Sequence, residues 1–170
     1  MTVLGQGRFL RLMKTPGGWE YAERVNASGV VFVAALTPER ELVLIAQDRP
    51  PVQATVIELP AGLAGDGHAH DEPLATAALR ELEEETGYTA DHLEHVLRGP
   101  SSAGLTSETL DLFIARDVRK VSAGGGVGGE GERIHTHLVP LDEVPAWLAA
   151  RARAGNLIDP KVYTALYFLR

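Results

Sequence analysis

Apolar and polar positions alternate from Arg8 to Lys14 and again from Trp19 to Arg24, with the turn chemistry of Thr15-Pro-Gly-Gly18 between them. The chain therefore opens on a predicted hairpin. Gly29 to Leu36 is apolar throughout, at a length that suits a strand covered on both faces. Pro38 to Glu41 turns the chain, and Leu42 to Ala46 reads as the partner strand. Arg49-Pro-Pro51 ends that strand, because proline cannot continue a ladder, and Thr55 to Leu59 predicts a short strand feeding a glycine-containing loop.

After Pro73 the period changes. Ala75, Ala78, Leu79 and Leu82 recur at i, i+3, i+4 and i+7, the buried stripe of a helix. Asp71 and Glu72 stand at its amino end, Pro73 in its first turn, and Gly87 offers a left-handed cap. Further strands are predicted over 93–97, 110–115 and 134–139, with helices from Leu141 to about Ala154 and from Asp159 to about Leu169. Ser122 to Glu132 is rich in glycine and has little to bury, which predicts a mobile loop.

At 170 residues this is most simply one domain, with 1–28 as a hairpin extension of a main domain over 29–170. Sixteen basic residues against twenty-three acidic ones, and no run of Lys and Arg, exclude a nucleic-acid or anionic-membrane surface. A polyanionic ligand would then depend on a few arginines or on bound metal. The absence of cysteine removes disulfide, thiol and Cys-type zinc chemistry. No signal-like amino terminus or bilayer-length apolar run occurs, so a cytoplasmic protein is expected.

Charge changes the picture most at the predicted helix. Glu81, Glu84 and Glu85 share an arc of roughly 100° beside its apolar stripe. Carboxylates at these spacings repel and weaken a helix unless a cation sits among them. A hard ion with oxygen ligands, Mg²⁺ or Mn²⁺, answers that need; a solvated acidic face is the other reading.

The stretch Glu72, seven residues, then Arg80-Glu-Leu-Glu-Glu-Glu-Thr-Gly-Tyr88 resembles the second half of the Nudix box, Glu-x7-Arg-Glu-U-x-Glu-Glu-x-Gly-U with U apolar. The first half departs, because Asp66 stands where the box has glycine. Glu58-Leu-Pro-Ala-Gly62 looks like the usual approach to it, so four extra residues between Gly62 and Glu72 account for the shift, at little entropic cost. Arg49-Pro50, Ser102 to Glu108 and Glu130 to Ile134 are similar to the ADP-ribose pyrophosphatase branch, although Ala103 stands where that branch usually has proline.

The resemblance implies a Nudix fold of the α/β (α+β) class, a mixed sheet between helices, and metal-dependent hydrolysis of a nucleoside diphosphate sugar. ADP-ribose is the leading substrate. GDP-mannose, another nucleotide sugar, or a nucleotide-sensing module without turnover are the alternatives. Glu81, Glu84 and Glu85 would hold the metal with the Ala61 carbonyl, beside Gly62. Arg80 would orient them through Glu84 at i+4 or Glu83 at i+3. Glu132, then Glu130, are candidates for the base on the loop, with solubilising charge as the competing view. Arg49 and Glu108 would meet substrate, and Phe9 and Trp19 would stack the base, across a homodimer; aromatics at strand spacing also serve as core. His68 and His70, or His135 and His137, pair without a third ligand and read as polar surface.

Overall fold

The computed structural model describes residues 1–65, 71–126 and 134–170. Its centre is the apolar run, now strand β4 once the strands are counted from the amino terminus: β1 (Thr2–Gln6), β2 (Leu10–Lys14), β3 (Glu20–Arg24) and β4 (Gly29–Ala35). Phe32 and Ala34 of β4 enter one core and Val31, Val33 and Ala35 the other, so the strand is covered on both faces as its composition predicts.

Two four-stranded sheets carry the body. In one, β4 lies between β7 (Ala61–Ala64) and β10 (Thr109–Ala115), parallel to β10, with β9 (Leu93–Pro100) at the edge. In the other, β5 (Glu41–Arg49) and β6 (Ala54–Glu58) pair between β12 (Ile134–Pro140) and β13 (Leu157–Ile158). The first core joins both sheets to α2 (Val144–Arg153) and α3 (Pro160–Phe168) through Leu148 and Val162. The second joins the first sheet to α1 (Leu74–Thr86) through Ala77, Ala78 and Leu82. Mixed sheets therefore lie between helices. No helix among the described residues is long and apolar enough to cross a membrane.

Several differences from the sequence reading have physical causes. The amino-terminal hairpin has a third strand, β1, whose glycine and bulge obscure its alternation. Ala61 to Ala64, expected as loop, is a strand because Phe32 to Gly29 offers it a ladder, not because its residues favour extension. Short β8 (Tyr88–Thr89), β11 (Arg119–Lys120) and β13 form for the same reason. Helix α1 starts at Leu74, with Pro73 at its N-cap, and Gly87 caps it at φ 77°. Its buried face is turned from the predicted stripe: Ala75 is exposed, while Ala77 and Glu85 are buried.

The glycine loop is not loose at its root. The Val121 and Ser122 N–H groups donate to the Gly87 carbonyl, and those of Gly125 and Gly126 to Glu85 and Glu84. The first five residues of that loop thus wrap the carboxyl end of α1.

Candidate active site

A cleft of about 550 Å³ opens where the two sheets and α1 meet. Helix α1 supplies Arg80, Glu81, Glu84 and Glu85, and β7 supplies Ala61, Gly62 and Leu63. The sheet of β4 and β10 adds Val30 and Leu110; the sheet of β5 and β6 adds Gln47, Arg49 and Glu58.

The carboxylates are held by backbone and by one arginine. The Ala61 N–H donates to Glu85 Oε2 at 2.9 Å, and the Leu63 N–H to Glu81 Oε1 at 3.2 Å. Arg80 Nη1 donates to Glu81 at 2.9 Å and to Glu84 at 3.1 Å, and its Nη2 reaches the Leu63 carbonyl at 3.0 Å. Its Nε and Nη2 grip both oxygens of Glu72, at 3.1 and 3.2 Å, and Glu72 in turn accepts the Gly65 N–H. Of the two partners considered for Arg80, the structure pairs it with Glu84. Glu83 is exposed and is not its partner; Glu72, which precedes the helix, is.

Burial dominates the electrostatics. Glu85, 7 % exposed, is pushed up to about 8 by loss of water, which the Ala61 N–H opposes and the Glu81 charge reinforces. Burial likewise raises Glu81, against the pull of Arg80, and raises Glu58, against that of Arg49. For Arg80 burial works against the charge, but hydrogen bonds and charge from Glu72 and Glu81 outweigh it and raise its pKa.

Among the described residues no three His, Asp or Glu side chains converge as a ready-made metal cage. The reason is visible, since Arg80 lies between Glu81 and Glu84 while β7 takes Glu81 and Glu85. The donor chemistry nevertheless fits a hard divalent ion: all three candidate side chains offer oxygen, and burial, which raises the pKa of Glu81 and Glu85, leaves their ionised forms in need of a cation.

Other candidates separate. Arg49 lines the cleft, with its Nε and Nη2 both 2.8 Å from Glu58 Oε2. Glu108 lines it too and is paired with Arg24, the last residue of β3. Phe9, 59 % exposed, sits beside Arg24 and Leu63 in a small side pocket. Trp19, 61 % exposed, is absent from the cleft wall; its indole N–H donates to the Gly104 carbonyl at 3.2 Å. His137 packs against Trp147 with ring centres 5.2 Å apart and planes tilted by 58°, and His135 lies on the same strand. Glu130 and Glu132, like His68 and His70, lie outside the described residues.

Sequence reasoning missed Arg24, Glu58 and Lys161 as cleft residues. A charge ending an otherwise buried strand was the available signal for Glu58; Lys161 comes from a helix a hundred residues downstream of β6 and carries no local signal.

Residues 26–159 match the family described as NUDIX domain. The ADP-ribose pyrophosphatase of Bacillus subtilis is 41 % identical over 96 residues, 56 % of this chain and 50 % of that protein. The methanol dehydrogenase activator of Bacillus methanolicus is 32 % identical over 148 residues, 87 % of this chain and 75 % of that one. The crystal structure of an ADP compounds hydrolase shares the fold, with a TM-score of 0.64 at 18 % identity over 85 % of this chain and 80 % of the other. The chain belongs to the Nudix family. It is a Nudix hydrolase acting on phosphorus-containing anhydrides, and within the family it resembles the ADP-ribose pyrophosphatase branch.

Proposed function

We propose that the chain is a divalent-metal-dependent pyrophosphohydrolase of a nucleoside diphosphate sugar, with ADP-ribose as leading substrate and AMP and ribose 5-phosphate as products. The observation that carries this reading is one cleft lined both by the buried and half-buried carboxylates of α1 and by Arg24 of β3, Arg49 of β5 and Lys161 of α3. Its volume suits a nucleotide-sized ligand.

In this reading Glu81, Glu84 and Glu85 hold Mg²⁺ or Mn²⁺ with the Ala61 carbonyl, and Gly62 leaves room for Glu81. The bound ion would neutralise the diphosphate and acidify water. Arg49, held by Glu58, grips a phosphate oxygen, and Arg24, held by Glu108, serves the nucleoside half. A base then takes the proton of the attacking water. Glu132 fills that role first and Glu130 second; Gly126 and Ile134, on either side of that segment, both line the cleft, which supports the assignment.

The extension 1–28 works in a homodimer, where Phe9 and Trp19 meet the base. Val3, Leu4, Leu10 and Leu12 of its sheet are exposed, and among the described residues β1 is an open edge, which favours burial against a second copy. The expected compartment is the cytoplasm. A different nucleotide sugar such as GDP-mannose would use the same machinery. A relative carries the name of an activator, but a sensing module without turnover has no need of Glu72, Glu81 and Glu84 braced by one arginine.

The test is a panel of nucleotide sugars with Mg²⁺ or Mn²⁺ and both products identified. Release of AMP and ribose 5-phosphate from ADP-ribose, fastest in the panel, is expected. No turnover of any member with either ion would overturn the enzymatic reading.

A further inference from the structure

Lys161 lines the same cleft but has no part in the chemistry above. Asp159 caps α3 by accepting the Lys161 backbone N–H at 2.8 Å, and its other carboxylate oxygen holds the Lys161 ammonium. The sheet fixes this unit in place. β13 runs parallel to β6 with Ile158 opposite Ile57, and the Asp159 N–H donates to the Ile57 carbonyl at 3.0 Å. Lys161 therefore stands beside the end of β6, where its charge acts on Glu58 together with that of Arg49 and against the opposing charge of Asp159. One buried carboxylate is flanked by two cations from different elements.

Capping needs only the backbone N–H of Lys161, so the ammonium is not required for it. It has three donors, and Asp159 engages one side of it. The walls also divide the ligand. Arg24, Glu108 and the Phe9 side pocket lie toward the sheet of β4 and β10, while Arg49 and Lys161 lie on the side of β5, β6 and α3. With the base on the Phe9 side, the other half of a diphosphate points at Lys161.

Hydrolysis gives that half more charge. Water oxygen bonds to one phosphorus, the bridging P–O bond breaks with its electron pair left on oxygen, and the water proton goes to the base. Each resulting phosphomonoester carries roughly −1.5 to −2 at pH 7. A cation fixed beside it interacts more strongly after bond breaking than before, whichever phosphorus is attacked.

Resting on the nucleotide-sugar reading, we propose that Lys161 binds the phosphate of the sugar half and discriminates the sugar phosphate product from the nucleotide product. Calorimetric binding of ribose 5-phosphate and of AMP, each with Mg²⁺, to wild type, Lys161→Met and Lys161→Arg tests this without needing turnover. In Lys161→Met the Kd for ribose 5-phosphate is expected to rise at least ten-fold, with that for AMP within two-fold and the melting temperature unchanged. Lys161→Arg is expected to restore most of the affinity. No ribose 5-phosphate binding by wild type, an equal loss for both products, no change for either, or a loss that follows a fall in melting temperature and is not rescued by arginine would each overturn the assignment. Failure of the nucleotide-sugar panel would instead appear as absent turnover in wild type.

Discussion

A Cβ at position 62 would stand 1.9 Å from Glu81 Cδ and 2.2 Å from its Oε1, so β7 and α1 meet where no side chain fits. The obstructing atoms are the far end of a flexible side chain, so Gly62→Ala can fold by pushing the carboxylate aside. The variant is expected to keep its melting temperature within a few degrees while kcat/KM falls by about 10²-fold, the cost of misplacing a reacting group by an ångström. Thermal denaturation beside steady-state kinetics checks this; a stable and fully active variant would remove Glu81 from the site.

Arg80 spans Glu72, Glu81, Glu84 and the Leu63 carbonyl with one planar group. Removing it leaves part-buried carboxylates without a counter-charge. Arg80→Ala is expected to lose about 3–5 kcal/mol in chemical denaturation, and Arg80→Lys more than half of that, since an ammonium cannot reproduce the fork. Retention of wild-type stability in the lysine variant would show that charge alone suffices.

The Arg80 brace also shows what was legible in the sequence. The motif singled out Arg80 and the carboxylates at 81, 84 and 85, which line one cleft, and the helix with its Gly87 cap followed from period and turn chemistry. Glu72 as a partner was hidden, because it precedes the helix and reaches Arg80 only through the extended backbone at Pro73. Strand β7 was hidden for a related reason: Ala-Gly-Leu-Ala has no strand preference, and only the ladder on β4 creates it. Lys161 became a cleft residue through the β6–β13 pairing, a long-range contact that no local pattern encodes.

Arg24 ends β3, and Glu108 lies in the loop to which that sheet is tied through Ala22 and Leu105. If the pair serves the nucleoside half, Arg24→Ala raises KM for ADP-ribose about ten-fold, near 1.4 kcal/mol, and leaves kcat within a few-fold. Glu108→Gln, which keeps a hydrogen bond but removes the charge, has a smaller effect in the same direction. A fall in kcat at constant KM in both would place the pair in the chemical step instead.

Glu85 links the site to stability. Its ordinary pKa of 4.5 applies to the unfolded chain, and burial raises it to about 8 in the folded one. Between those values unfolding releases a proton, so folding stability is fully present below the unfolded pKa and is lost as pH rises toward 8, by at most about 1.4 kcal/mol per pH unit. Glu81 and Glu58, also raised by burial, act in the same direction. A divalent ion that favours the ionised carboxylate reverses the trend, so added Mg²⁺ should stabilise more at pH 8 than at pH 5. Glu85→Gln keeps an acceptor for the Ala61 N–H but has no proton to release. Melting curves from pH 5 to 8, with chelator and with Mg²⁺, are expected to show a falling wild type and a flatter variant in chelator, and their convergence in Mg²⁺. The same variant should lose most Mg²⁺-dependent hydrolysis. Parallel curves for the two proteins would mean that Glu85 is already ionised without metal and that another group carries the pH dependence.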